Sequence, residues 1–275
     1  MIKLGLIGYP VSHSLSPKIQ NAALKACGLE GDYSLFPIAP DDMDALKDLL
    51  ARVRSGETTG LNVTIPHKQN VIPFIDELTP TAKAIGAVNI IYMRENKLIG
   101  DNTDAAGFLA DLKKFLATES QSHGDLSVLV LGAGGSARSV VYALQNDGWR
   151  ITIAARRIEQ AQQLASQFEG AIAMELNLQT FQLSNLELIV NTTPLGMTPN
   201  IDQSPLPEST NLSKHTRIYD LVYNPRETKL VRDARSQGLQ ATTGLGMLIE
   251  QAALGFELWT GIKPPKDILY ASVVE

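Results

Sequence analysis

The stretch "VLVLGAGGSAR", residues 128–138, places a glycine-rich turn where an apolar strand runs into a helix. Its chemistry would be anion binding. Gly132 can make the tight turn, while Gly134 and Gly135 let the backbone approach a pyrophosphate whose charge then sits at the helix N-terminus. The spacing approximates the dinucleotide fingerprint, with Ala137 standing where a third glycine is common. A tight strand–helix packing turn would use the same glycines. The end of the next strand, "TIAARR", bears on the choice of cofactor. An NAD site ordinarily carries an acid there for the ribose hydroxyls, and that carboxylate would repel a 2′-phosphate. Arg156 and Arg157 stand there instead. A guanidinium makes charge-assisted, often bidentate, bonds to phosphate. The pattern predicts NADP over NAD, the plainer alternative being an arginine that points into solvent.

A second set of polar residues has both a plain and a chemical reading. "IGYPVSHSLSP", residues 7–17, sets Ser12, Ser14 and Ser16 at alternating positions. As turn chemistry, serines bond nearby backbone, and Ser16 before Pro17 reads as an N-cap followed by proline at the first helical position. As a site, the hydroxyls converge on a ligand. "GLNVTIPHK", residues 60–68, alternates Asn62 and Thr64 with Leu61, Val63 and Ile65, so the two polar side chains share a sheet face, and Lys68 follows Pro66 on the loop. Asn89 interrupts an apolar run in "GAVNII", and Asp104 in "GDNTDAAGF" precedes a helix whose apolar face includes Phe108, Leu112 and Phe115. Taken singly, Lys68 reads as a solvated lysine, Asp104 as an N-cap and the asparagines as turn formers. Gln251 lies beside Leu248, Ala252, Gly255 and Trp259 on a mostly apolar helix side, so its amide needs a partner.

The elements carrying these residues alternate between strand and helix. Residues 2–7 read as a strand, 17–27 as a helix stopped by Gly28, and 33–38 as a second strand. Residues 42–54 carry Met43, Leu46, Leu50 and Val53 on one helical face, closed by Gly56, and 60–65 is a short strand interrupted by Pro66. The polar, aperiodic "ATESQSHGD", residues 117–125, reads as a loop before a second unit. There "LSVLVL", "WRITIAARR", "LELIV" and "TRIYDLV" supply strands, and "IEQAQQLASQF" a helix with Ile158, Ala161, Ala165 and Phe168 along one side. A last helix spans about 246–259. The alternation is that of an α/β protein, and 275 residues accommodate two domains of ordinary size.

Composition narrows the classes further. A net charge of -5 argues against a nucleic-acid-binding surface. No apolar run approaches the roughly 18 residues that span a membrane. The start, "MIKLGLIGYP", lacks the apolar region and cleavage site of a signal peptide, so a cytoplasmic location is expected. The single cysteine excludes an intrachain disulfide and a cysteine-rich metal motif, and no metal is expected. Cys27 follows Ile19, Ala22, Ala23 and Ala26 at helical spacing, which places it near or in a core rather than at a nucleophilic site.

From residue 8 to about 261 the stretches "GYPVSHSLSP", "GLNVTIPHK", "GAVN", "GDNTDAAGF", "LGAGGSAR", "NTTPLGM", "DLVYNPRET" and "TGLGMLIEQAALGFELWTG" follow in order. Together they resemble the shikimate dehydrogenases. The resemblance implies an N-terminal α/β substrate domain, residues 1–104 with 245–275, and a C-terminal Rossmann-like NADP-binding domain, residues 105–244, with the active site in the cleft between them. It implies that the N-terminal domain takes back the C-terminal helices. The activity implied is the reversible, NADPH-dependent reduction of 3-dehydroshikimate to shikimate, in the pathway to chorismate and the aromatic amino acids. Partners would be small molecules, with no nucleic acid or membrane, and the protein a monomer or homodimer.

Carried onto matching positions, Ser14 and Ser16 would bond the substrate carboxylate, Ser12 keeping its turn reading. Asn62, Thr64, Asn89, Thr103, Asp104 and Gln251 would bond ring hydroxyls or the carboxylate, and Tyr223 would line the same cleft. Lys68 and Asp104 would be the catalytic pair. A hydride reaches the ketone carbon, and an ammonium can stabilise the developing alkoxide and protonate it. Gly132, Ala133, Gly134, Gly135, Ser136 and Ala137, with Arg156, Arg157, Thr192, Leu221, Gly244 and Met247, would contact the cofactor.

The chain departs from the family pattern in places. Gln20 stands where histidine is usual, Ile90 where threonine is, Ala155 where asparagine is, and Arg157 where Thr or Ser is. The last change alters the expected 2′-phosphate contacts but leaves positive charge there. One competing reading is a quinate/shikimate dehydrogenase with relaxed cofactor use. Quinate adds a hydroxyl on the ring carbon that bears the carboxylate. Ser14, Ser16, Thr64 and the arginine pair favour the shikimate enzyme. An amino-acid dehydrogenase with a catalytic lysine is disfavoured by the serine pair and "NTTPLGM". A non-catalytic NADP-binding sensor would need the glycine turn but not Lys68 with Asp104.

Overall fold

β1 (Ile2–Gly8) is buried from Leu4 onward, as a strand covered on both faces must be. It pairs in parallel with β2 (Gly31–Pro37) on one side and β3 (Gly60–Val63) on the other. α1 (Ser16–Ala26) connects β1 to β2, and α2 (Met43–Arg54) connects β2 to β3. Asp42 caps α2 by accepting from the Ala45 N–H, and the helix buries Leu46, Leu49, Leu50 and Val53. Those side chains share a core with Ile7, Leu61, Val63, Ile91 and Leu98. α3 (His67–Asn70), a 3-10 turn at Ile72–Phe74, β4 (Glu77–Leu78) and α4 (Pro80–Ile85) lead to the antiparallel hairpin of β5 (Ile90–Arg94) and β6 (Lys97–Asp101). The sheet order is β2-β1-β3-β5-β6-β4.

The computed structural model describes residues 1–117, 126–176, 186–207, 210 and 212–274. It divides into two compact units, Met1–Gly107 with Leu248–Glu275, and Phe108–Met247. The division falls inside α5 (Asp104–Leu116) and α9 (Leu245–Thr260). α10 (Lys266–Val274) packs on α1 in the first unit.

The second unit runs β7 (Ser127–Leu131), α6 (Gly135–Asn146), β8 (Arg150–Ala155), α7 (Ile158–Ala165), β9 (Ile172–Glu175), β10 (Leu188–Asn191), β11 (Arg217–Asp220), α8 (Lys229–Ser236) and β12 (Ala241–Thr243). All its strand pairs are parallel, in the order β12-β11-β10-β7-β8-β9. The direction of winding reverses between β7 and β10. At such a switch point the carboxyl ends of the strands leave a crevice for a ligand. Among the described residues no helix is long and apolar enough to cross a membrane.

Several expectations from the sequence need correction. Leu15, not Ser16, occupies the N-cap of α1, and the Ser16 N–H donates to the Ser14 hydroxyl at 3.2 Å. The strand expected over 60–65 ends at Val63, and Thr64 lies just past it, its N–H donating to Ile7 O. Lys68 sits on the one-turn α3 rather than on a loop. Asp104 is the first residue of α5 rather than ahead of it. On α7, Leu164 is buried with Ala161 and Ala165 while Ile158 is only half-buried. The helix at 246–259 is not the last, since α10 follows. Residues 118–125 of the expected loop lie outside the described residues.

Candidate active site

In the first unit, the ends of β3, β5 and β6 and the starts of α3 and α5 bring polar side chains together. The Lys68 ammonium donates to Asp104 Oδ2 at 2.5 Å, and both residues are buried, at 8% and 5% exposure. The other carboxylate oxygen, Oδ1, accepts from Asn89 Nδ2 at 2.8 Å. Asn89 also bonds Thr103: its Nδ2 donates to Thr103 Oγ1 at 3.0 Å and its Oδ1 accepts the Thr103 N–H at 2.8 Å. Gln251 enters from α9, its Oε1 at 3.5 Å from Asn89 Nδ2, and Thr103 Oγ1 donates to the Gln251 carbonyl at 3.2 Å. Asn62 joins by donating from Nδ2 to the Asn89 carbonyl at 3.2 Å.

Local chemistry explains why Asp104 is available to Lys68. The Ala105 N–H at the start of α5 bonds the Asn102 side chain at 3.3 Å, so Asn102 does the capping that the sequence suggested for Asp104. Lys68 is held through its backbone, its carbonyl accepting from Val88 N at 2.8 Å. The neighbouring His67 is fully buried, and its Nε2 donates to the Ile38 carbonyl at 2.7 Å, which anchors α3. Gln251 satisfies its own amide by donating from Nε2 to Leu248 O at 2.8 Å. The partner expected for a buried amide is therefore partly its own helix.

Ser14 and Ser16 are tied to each other, Ser16 buried and Ser14 half-buried. Among the described residues no hydrogen bond joins them to the Lys68 network. Thr64 is half-buried, and its methyl occupies the space that a Cβ on Gly8 would need, at 2.4 Å. Having no Cβ, Gly8 leaves room for the Thr64 methyl against β1. Tyr223 lies half-buried in the second unit, after β11.

In the second unit, Gly132 leaves β7 with φ of +108°, a conformation L side chains rarely adopt, and a Cβ there would meet Thr192 Oγ1 at 2.6 Å. Thr192, just past β10, donates from that hydroxyl to the Leu131 carbonyl at 2.7 Å. These two residues thus stand together at the switch point. Gly134 is the N-cap of α6, no side chain caps the helix, and a Cβ on Gly134 would meet nothing within 4 Å. The N–H groups of a helix's first turn suit an anion such as a pyrophosphate. Ala137 is fully buried, packing where a third glycine would allow closer approach. Arg156 and Arg157 are both exposed at the end of β8, with no carboxylate paired to either among the described residues. Gly244 lets two segments touch, since a Cβ there would lie 2.3 Å from the Leu221 carbonyl. Met247 is buried nearby in the chain, on α9. The glycine turn ahead of α6 and the two exposed guanidinium groups fit NADP.

The sequence reading missed Asp220. It ends β11, is fully buried, and accepts from Asn191 Nδ2 at 2.8 Å, from the Thr228 hydroxyl at 2.7 Å and from Val222 N at 3.0 Å. Asn191 Oδ1 in turn accepts from the Thr193 N–H and hydroxyl. One carboxylate therefore ties the loop after β10 to the loop after β11. Burial outweighs these hydrogen bonds and pushes its pKa up from 3.8 to about 6. The folded chain then keeps a proton that the unfolded chain releases, so this contribution to stability is complete below about pH 4 and is lost as pH rises through about 6. Asp220→Asn is expected to flatten the fall in unfolding free energy over that window, by up to about 1.4 kcal/mol per pH unit. Urea melts of both proteins from pH 4 to 8 check this, and parallel curves would contradict it.

Three family models match in order along the chain: the shikimate dehydrogenase substrate binding domain at residues 6–91, shikimate / quinate 5-dehydrogenase at 115–234, and the shikimate 5'-dehydrogenase C-terminal domain at 244–273. A shikimate dehydrogenase (NADP(+)) of Carboxydothermus hydrogenoformans is 40% identical over 273 residues, covering 98% of this chain and 95% of its own. Among solved structures, a shikimate 5-dehydrogenase from Thermus thermophilus in complex with NADP(H) and shikimate is similar with a TM-score of 0.86 and 36% identity, covering 99% of this chain and 98% of that one. A quinate dehydrogenase from Corynebacterium glutamicum in complex with NAD is similar with a TM-score of 0.87 and 30% identity, over 99% and 98% of the two chains. With that identity sustained from end to end, the chain belongs to the shikimate dehydrogenase family.

Proposed function

We propose that this protein catalyses the reversible, NADPH-dependent reduction of 3-dehydroshikimate to shikimate, a step of the shikimate pathway toward chorismate and the aromatic amino acids. The observation that carries this reading is the buried Lys68–Asp104 pair among Asn62, Asn89, Thr103 and Gln251. Amide, hydroxyl and ammonium groups gathered in one place suit a small ring with a ketone and several hydroxyls.

NADPH, when bound, supplies the hydride to the ketone carbon. Lys68 stabilises the alkoxide oxygen and gives it a proton, so hydride and proton together complete the alcohol. Asp104 holds the ammonium in position, and Asn89 holds Asp104. Ser14 and Ser16 take the substrate carboxylate, and Thr64, Thr103, Gln251 and Tyr223 complete its surroundings. In this reading residues 1–104 with 245–275 bind the substrate and 105–244 bind NADP. The turn from Gly132 to Ala137 receives the pyrophosphate, Arg156 and Arg157 the 2′-phosphate, and Thr192, Leu221, Gly244 and Met247 the remainder of the cofactor. The reading carries a cytoplasmic location, in keeping with a single cysteine, and a monomer or homodimer.

A quinate/shikimate dehydrogenase with relaxed cofactor use is the second reading, favoured by the similarity to the NAD-bound quinate dehydrogenase. The proposed function is tested by incubating purified protein with shikimate and NADP+. NADPH absorbance should rise and 3-dehydroshikimate appear in the mixture. No reduction of NADP+ at any shikimate concentration would overturn the proposal.

A further inference from the structure

We infer that Tyr33 is a positioning residue for the substrate: its hydroxyl fixes the Asn62 amide so that Asn62 meets the ligand with an N–H. The inference rests on the assignment of Asn62 to the substrate site.

The register of the sheet makes the contact possible. Leu4 of β1 lies opposite Tyr33 on β2 and opposite Gly60 on β3, and Leu6 lies opposite Asn62. Steps of two keep Tyr33 and Asn62 on one face, two strands apart. Strands are about 4.8 Å apart, so the gap is about 10 Å, a distance that a tyrosine can cross but a serine or threonine cannot. Tyr33 is buried beside Leu4, Leu6 and Val11, with Trp259 of α9 packed on the same cluster. The glycine at 60 makes room for Trp259, because a Cβ there would lie 2.2 Å from the indole Nε1. That indole donates to Ile91 O at 3.2 Å, and its ring leans on Tyr33 with centroids 6.5 Å apart at 50°. The phenol is thereby flanked, and its hydroxyl reaches Asn62 Oδ1 at 2.8 Å.

Hydrogen-bond chemistry fixes the rest. Asn62 is buried between Tyr33 and the carbonyl of Asn89. A carbonyl only accepts, so Asn62 must turn its nitrogen toward Asn89 and its oxygen toward Tyr33. The Tyr33 hydroxyl then has to donate. One hydrogen of Asn62 Nδ2 goes to Asn89 O, at 3.2 Å, and the second is the group presented to a ligand oxygen. Removing the phenolic hydroxyl leaves Asn62 Oδ1 buried without that donor, and the amide loses the contact that sets its plane. Asn89 O also accepts from Val63 N at 2.8 Å, so the other side of the clamp is tied to β3.

The test uses the full chain as wild type, Tyr33→Phe, Asn62→Ala and the double variant. Phenylalanine keeps the ring and its packing on Trp259, and thermal melts confirm that each variant is folded. Wild-type turnover of 3-dehydroshikimate comes first, since its absence would condemn the proposed function and not the role of Tyr33. Tyr33→Phe is expected to raise KM for 3-dehydroshikimate about tenfold, with KM for NADPH unchanged. In the Asn62→Ala background the same change should add nothing further. A KM unmoved by Tyr33→Phe, or effects that multiply independently in the double variant, would overturn the inference. If Asn62→Ala leaves KM unchanged, the assignment of Asn62 fails and the inference falls with it.

Discussion

Lys68→Met is expected to lower kcat for 3-dehydroshikimate reduction by about 10³-fold, with KM for NADPH within a few-fold of wild type. Methionine keeps an unbranched apolar stem of similar length, so the backbone bond from Val88 N to Lys68 O and the anchoring of α3 by His67 survive. What disappears is the only cation hydrogen-bonded to Asp104 among the described residues. Truncating one member of a buried pair leaves the other charge unpaired and costs about 3–5 kcal/mol. A loss of activity could therefore come from unfolding alone. Adding Asp104→Asn removes the stranded carboxylate while keeping an acceptor for Asn89 Nδ2. The double variant should melt nearer to wild type yet stay as inactive as Lys68→Met. Recovery of activity along with stability would show that the ammonium does no chemistry. Thermal melts and steady-state kcat on the same preparations make the distinction.

Arg156→Asp with Arg157→Asp is expected to reduce kcat/KM for NADPH by about 10²-fold or more while leaving that for NADH within a few-fold. Each hydrogen bond to a charged group contributes about 1.5–3 kcal/mol, and two guanidinium groups stand at the end of β8. Both are exposed, so solvent and salt weaken each contact, which is why the lower end of the range is expected. The aspartates also add repulsion against a 2′-phosphate and supply the acceptor that an NAD ribose uses. The ratio of the two specificity constants should collapse. An unchanged ratio would mean that neither arginine reads the 2′-phosphate, and the preference would have to come from elsewhere in the turn.

Much of this arrangement was legible in the sequence because it depends on local pattern. The stripe of Leu46, Leu50 and Val53, the glycine stops at Gly28 and Gly56, and the strand–glycine–helix passage through Gly132 and Gly134 all follow from spacing and backbone freedom. The β5–β6 hairpin was not legible. Its two-residue turn is Glu95–Asn96, with φ of +51° and +60° and no glycine to announce it. α10 was missed because its residues are apolar almost continuously, so no stripe marks a face. The helix starts were misplaced by one residue at Ser16 and Asp104, which are the first residues of α1 and α5 and not their caps.

The site divides in the same way. The residue types at Lys68, Asn89, Asp104 and Gln251 were visible, but each alone had an ordinary explanation. Only the tertiary structure, which brings α3, α5, α9 and the β5–β6 hairpin together, shows that Lys68 is buried against Asp104 rather than solvated. Asp220 and Tyr33 gave no signal of their own. Each acts by reaching a residue on another strand, Asn191 in one case and Asn62 in the other, and such a pairing depends on a register that no local pattern fixes.

The most direct test of the central claim is the set of four specificity constants for NADPH and NADH, each paired with 3-dehydroshikimate and with 3-dehydroquinate. High turnover confined to NADPH with 3-dehydroshikimate is the predicted result, and it would support the substrate and the arginine pair together. Comparable turnover with NADH or with 3-dehydroquinate would contradict it and make the protein a quinate/shikimate dehydrogenase of relaxed cofactor use. Binding of NADPH with no turnover of either ketone would contradict the catalytic role given to Lys68 and Asp104.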